Sequence, residues 1–219
     1  MTDTINRGTM IIWDWNGTLL NDIDICIESI NRILDTRGQK RITKEMYLRF
    51  FRFPVIDFYG DLGFDFNKEN FNALSDEYIH HYLSMESRSS LHDGAVDLLK
   101  YFGSRHVQQV VLSAMEQNTL TESIKKHNIH HFFKEIIGVK NFFGHGKLDC
   151  AKLYIENSSI PARNITLLGD TTHDSEVAGY LGCHCILIAG GHQPYEKLMT
   201  TGVQVEKNLA ALFSLVTNS

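Results

Sequence analysis

At 219 residues the chain is long enough for one large domain, or for a core domain carrying a smaller insertion. Its 43% hydrophobic and 21% charged content is that of an ordinary globular protein, and a net charge of −5 with thinly spread lysine and arginine argues against a nucleic-acid partner. No apolar run approaches the roughly 18 residues a membrane span needs, and the first residues lack the basic start and apolar stretch of a secretory signal, so the expectation is a cytoplasmic protein with no membrane partner.

Met10-Ile11-Ile12-Trp13 is a short apolar run of the kind that forms a buried strand. It stops at Asp14, and Gly17 lets the backbone turn. Asn21-Asp22 can cap a helix over 23–36, in which Ile23, Ile27, Ile30 and Leu34 share one face and Gly38 stands just past the end. Residues 39–90 then change character. They read as helices over 43–51, 55–62 and 68–85, with a turn at Pro54 and breaks at Gly60 and Gly63. The aromatic residues that crowd this part, from Phe50 to Phe71, read as the core of a small helical bundle rather than as a binding platform.

From Asp93 helices and strands alternate. Helices are expected over 94–102, 118–126, 148–156, 174–180, 195–199 and 209–215, and strands over 107–112, 135–139, 165–168, 183–188 and 203–205. Such alternation implies an α/β fold, a doubly wound parallel sheet covered on both faces, with ligands gathered at the carboxyl ends of the strands. Cys183-His184-Cys185 falls on one of those strands and reads as alternation rather than a metal clip, because no second ligand pair stands at zinc-site spacing. The pairs His80-His81 and His130-His131 read as solvated surface.

Four polar clusters fall at strand ends or loops of this sheet. They are Asp14 with Asn16, Ser113 after Val110-Val111-Leu112, Lys147 after Gly144-His145-Gly146, and Asp170 with Asp174 after Ile165-Thr166-Leu167-Leu168. Three carboxylates on one spot repel unless a hard cation sits among them, and Mg²⁺ takes oxygen ligands from one or two carboxylates plus phosphate oxygens. A phosphoryl group adds charge that a serine hydroxyl, a lysine ammonium and the amides of the Gly17-Thr18 turn can meet. Asp14 is then placed to attack phosphorus in line.

With Asp14-Trp15-Asn16-Gly17-Thr18-Leu19 and Gly169-Asp170-Thr171-Thr172-His173-Asp174 the chain resembles the haloacid dehalogenase superfamily, in its phosphoglycolate phosphatase-like branch, over nearly its whole length. The resemblance implies a Rossmann-like core of residues 1–20 and 91–219 and an inserted helical cap of residues 21–90 that closes over the substrate. It implies a nucleophile at Asp14, phosphoryl contacts from Gly17, Thr18, Ser113, Ala114 and Lys147, and a Mg²⁺ ion on Asp14, the backbone carbonyl of Asn16, Asp170 and Asp174. The implied activity is Mg²⁺-dependent hydrolysis of a small phosphorylated metabolite, a phosphoglycolate-like phosphomonoester.

One position departs from that pattern. The family phosphatases carry aspartate two residues after the nucleophile as general acid and base, and here Asn16 stands there. An amide cannot exchange a proton near neutral pH, and losing general acid–base catalysis costs about 10²–10⁴-fold. The expectations are therefore a phosphatase with another proton carrier, His173 or His145, or a slow one suited to good leaving groups such as acyl or aryl phosphates. The alternative is a non-catalytic phosphometabolite-binding or regulatory protein using the same pocket. A dehalogenase proper would leave Asp170 and Asp174 without a purpose, and a receiver domain carries its acidic pair in the reverse order.

Overall fold

The computed structural model describes residues 10–140 and 146–218. From strand β1 (Met10–Trp13) the chain leaves through β2 (Leu20–Asn21) into helices α1 (Ile23–Thr36), α2 (Lys44–Phe50), α3 (Val55–Asp61) and α4 (Phe71–Met85), and returns by β3 (Ser90–Leu91). Then follow α5 (Ala95–Ser104), β4 (Gln108–Glu116), α6 (Gln117–Lys126), β5 (Glu135–Val139), α7 (Lys147–Glu156) and β6 (Ile165–Gly169). The remainder is α8 (Thr172–Leu181), β7 (His184–Ile188), α9 (Tyr195–Met199), β8 (Gln204–Glu206) and α10 (Leu209–Thr217).

The sheet runs β5-β4-β1-β6-β7-β8, every neighbouring pair parallel. Strand β1 has no water-facing side. Ile11 and Trp13 point to the core under α5, α6 and α10, while Met10 and Ile12 point to the core against α7 and α8. Burial of such a side chain contributes about 1.5–3 kcal/mol, and the two tryptophan N–H groups are satisfied, Trp13 by Gln109 Oε1 at 3.0 Å and Trp15 by Ser123 Oγ at 3.2 Å.

Helices α1 to α4 bury a cluster of their own, including Ile30, Leu34, Tyr47, Phe58 and Tyr59. They join the rest through β2 and β3, an antiparallel pair with Leu20 opposite Leu91 and Asn21 opposite Ser90. Three differences from the sequence reading have physical causes. Helix α4 begins at Phe71 because the Asn70 side chain accepts from the amides of Asn72 and Ala73. Strand β4 continues past Leu112 to Glu116 through a register shift, which turns residues 113–115 toward the sheet mouth. Asp22 precedes α1 but makes no side-chain cap, its carboxylate being engaged elsewhere. Cys183 and Cys185 pack half-buried beside exposed His184 as strand alternation, and no described helix is long and apolar enough to cross a membrane.

Candidate active site

Strand order reverses about β1, and the crevice at the carboxyl ends of β1 and β6 is where such sheets bind ligands. The β1–β6 ladder runs one bond beyond β1, the Asp14 amide donating to Leu168 carbonyl at 2.8 Å, so Asp14 and Asp170 leave adjacent strands side by side. Asp14, Asp170 and Asp174 are all buried, and each offers a carboxylate oxygen within 4.8 Å of the others. Lys147, the first residue of α7, donates to Asp14 Oδ1 at 2.5 Å and to Asp174 Oδ1 at 2.7 Å. The other Asp174 oxygen accepts from the Thr171 amide (3.0 Å) and hydroxyl (2.7 Å), closing a capping box on α8. Asp170 accepts from Thr18 Oγ1 at 3.0 Å and from the His192 amide at 2.5 Å. Glycine is required beside it: a Cβ at Gly17 (φ +75°) or at Gly191 would collide with the Asp170 carboxylate.

Burial pushes Asp14 up to about 6 against the pull of Lys147, and burial likewise pushes Asp170 up to about 7. Asp174 feels the same burial, yet the Lys147 ammonium and the Thr171 donors hold it below the usual carboxylate range. Lys147 is also desolvated, and its two carboxylates keep it firmly protonated. Three buried carboxylates converge beside one ammonium that bonds two of them, Asp14 and Asp174, and each carboxylate offers an oxygen. That donor set fits a hard divalent cation such as Mg²⁺.

Where the inserted helices meet the sheet lies a second buried network, built on Asp22. Its carboxylate accepts from Asn16 Nδ2 at 2.7 Å, Tyr82 hydroxyl at 2.8 Å and the Gly17 amide at 3.0 Å, and His192 Nε2 lies 3.5 Å away. Tyr47 hydroxyl meets His192 Nδ1 at 2.9 Å. Burial opposes charge on both members, but Asp22 raises His192 to about 9, and His192 in turn holds Asp22 below its ordinary value. Cys26 Sγ approaches Asp22 as well, at 3.5 Å.

The sequence-predicted residues converge with some changes of role. Ser113 is buried, its hydroxyl accepting from the Met115 amide at 3.0 Å and facing Asn16 Oδ1 at 3.5 Å; with Ala114 it lines the cavity that opens over Asp14. The Gly17-Thr18 turn does not aim free amides at a phosphoryl group. The Gly17 amide is spent on Leu20 carbonyl and Asp22, the Thr18 amide bonds Trp15 carbonyl, and the Thr18 hydroxyl braces Asp170. His173 packs at a tilt against Phe53 and meets Glu176 without lining the cavity itself, while His145 lies outside the described residues. Sequence reasoning missed His192 and the engagement of Asp22. The available clue was Gly190-Gly191-His192-Gln193, a glycine-rich turn at the carboxyl end of the strand beside β6.

The model of the haloacid dehalogenase-like hydrolase family matches residues 11–188. Among solved structures, a haloacid dehalogenase-like family hydrolase from Streptococcus pneumoniae is similar at 19% identity and TM-score 0.81, over 95% of this chain and 98% of that one. A predicted phosphoglycolate phosphatase from Haemophilus somnus is similar at 14% identity and TM-score 0.77, over 95% and 98%. The protein tyrosine kinase PtkA of Mycobacterium tuberculosis is similar at 20% identity and TM-score 0.79, over 96% and 98%. No curated protein sequence matches the chain. At these identities the structures speak for the fold, and it is the family match over most of the sequence, spanning both acidic strand ends, that decides membership: the chain belongs to the haloacid dehalogenase-like hydrolases.

Proposed function

We propose that the protein is a Mg²⁺-dependent phosphatase acting on a small phosphomonoester through an aspartyl-phosphate on Asp14. The observation that carries this reading is the convergence of Asp14, Lys147, Asp170 and Asp174 in one buried crevice at the mouth of a cavity. Asp14 and Asp170, with the Asn16 backbone carbonyl, are the ligands we assign to the ion, and Asp174 supports the site by holding Lys147. When bound, Mg²⁺ supplies charge neutralisation for the phosphoryl oxygens.

Asp14 supplies the attacking carboxylate oxygen. Lys147 stands against that carboxylate and offers its ammonium to the transferred group, and Ser113 offers a hydroxyl from the β4 bulge. Residues 21–90 serve as a cap over the reaction centre of residues 1–20 and 91–219, excluding water while the phosphoryl group moves. Membership of the haloacid dehalogenase-like hydrolases supports the reaction class.

The second reading, a phosphometabolite sensor, draws on Asn16, whose amide is fixed by Asp22 and Tyr82 and carries no exchangeable proton for catalysis. Hydrolysis of p-nitrophenyl phosphate separates the two. The expected result is turnover that requires Mg²⁺ and disappears in Asp14→Asn. Binding of phosphate without turnover favours the sensor, and turnover that survives Asp14→Asn rules out the nucleophile.

A further inference from the structure

We infer that the substrate is a monocyclic aryl phosphomonoester with no second anionic group, a class that rests on the phosphatase reading and narrows it. The cavity above Asp14 continues into the helical insertion, where its walls include Tyr47, Phe51, Phe58, Phe71, Tyr78 and Ile79. The aromatic residues thus do more than fill the core of the insertion. Tyr47 stacks on Phe51 with ring centroids 5.1 Å apart, and Phe58 meets both edge-on at 5.6 and 5.4 Å, so this wall of the cavity is a rigid, apolar aromatic cluster.

The cations that could hold a substrate carboxylate are elsewhere. Arg37 pairs with Glu69 and Glu77, Arg41 with Glu28, Lys44 with Asp24 and Arg52 with Asp61, while Arg49 lies over the Phe50 ring. Among the described residues no arginine or lysine of the insertion lines the cavity. The basic groups that do are Lys147, held by Asp14 and Asp174, and His192, turned to Asp22 and Tyr47. A carboxylate on the leaving group would therefore be buried without a cationic partner. The cavity, the crevice at Asp14 included, has a volume of about 190 Å³, and an apolar cavity of about 150 Å³ takes up benzene, so the space limits the leaving group to a single ring.

The chemistry at Asn16 agrees independently. Asp14 oxygen bonds to phosphorus as the bond from phosphorus to the aryl oxygen breaks, and the electron pair leaves on that oxygen. A phenol with a pKa near 10, as in tyrosine, leaves as phenolate without a proton, whereas an alkoxide needs one and Asn16 has none to give. Water then adds to phosphorus, the bond to Asp14 breaks with its pair returning to the carboxylate, and both water protons leave on orthophosphate as its monoanion.

Three esters separate the components in the full chain with Mg²⁺: phenyl phosphate (ring, phenolate), benzyl phosphate (ring, alkoxide) and 2-phosphoglycolate (no ring, second anion). Expected are similar KM values for the two ring esters, a KM about 10- to 100-fold higher for phosphoglycolate, and a kcat for phenyl over benzyl phosphate of about 10²–10⁴. Ile79→Arg, at a half-buried position of α4, should raise KM for phenyl phosphate about tenfold and narrow the gap to phosphoglycolate. A kcat/KM for phosphoglycolate equal to or above that for phenyl phosphate overturns the aryl class and leaves the phosphatase standing. Hydrolysis of none of the three, with no phosphate transferred to Asp14, removes both. If Ile79→Arg does not fold, the panel on the unaltered chain still decides.

Discussion

Asn16 is held in place by its neighbour. Its Nδ2 donates to Asp22 across 2.7 Å and contacts Tyr82 hydroxyl at 3.0 Å. Restoring an aspartate there puts two buried carboxylates face to face, and such a pair keeps one proton between them and loses stability. Asn16→Asp alone should therefore lower stability by about 1–3 kcal/mol and change the kcat for benzyl phosphate less than tenfold. Exchanging the pair, Asn16→Asp with Asp22→Asn, rebuilds the hydrogen bond with the amide on the other side. That double variant should recover most of the lost stability and raise kcat by about 10²–10⁴. A double-mutant cycle followed by urea unfolding and turnover checks this, and strictly additive effects would show that the two residues do not act as a pair. The sequence could not reveal the pairing. Asp22 stands where a helix cap belongs, and the donors that claim it come from residues 16, 17 and 82, the last of them sixty residues away.

At the scale of elements, the helical insertion is tied to the core beyond its two crossing strands. Phe51 carbonyl, at the end of α2, accepts from Lys197 Nζ at 2.8 Å and Gln193 Nε2 at 3.2 Å, and Tyr47 reaches His192. All three partners come from the segment between β7 and the end of α9. Lys197 is half-exposed, so its bond contributes about 1 kcal/mol. Lys197→Met should shift the opening equilibrium about fivefold, read as faster hydrogen exchange in α2 and a higher KM; unchanged exchange would mean that this bond does not restrain the cap. These ties were illegible from sequence, because loop residues carry no periodicity. The sheet was legible for the opposite reason. Buried parallel strands such as Met10–Trp13 and Ile165–Gly169 write themselves as apolar runs between helices, and helix ends carry local caps such as Thr43 and Asn208.

Across the whole molecule, the order of the acidic strand ends made the site readable, since a parallel sheet brings all its carboxyl ends to one edge whatever the distance between them in sequence. The same gathering makes the fold sensitive to pH. Asp14 and Asp170 stand near 6 and 7, above their unfolded value of 3.8, so the folded state holds protons that the unfolded chain has released. The stability tied to them is present below about pH 4 and is lost as pH rises through 6 and 7. His192, raised from 6.5 to about 9, acts in the same direction over a higher window. The metal-free protein should thus lose stability steadily from pH 5 to pH 8. A divalent ion competes with those protons, so Mg²⁺ should stabilise far more at pH 8 than at pH 5, by about 2.7 kcal/mol at a hundredfold excess over its Kd. Urea unfolding at the two pH values, with and without Mg²⁺, measures both effects. Asp170→Asn should flatten the lower part of the pH slope and weaken the response to Mg²⁺ together, since one carboxylate underlies both. An equal Mg²⁺ response at the two pH values would detach the ion from Asp14 and Asp170.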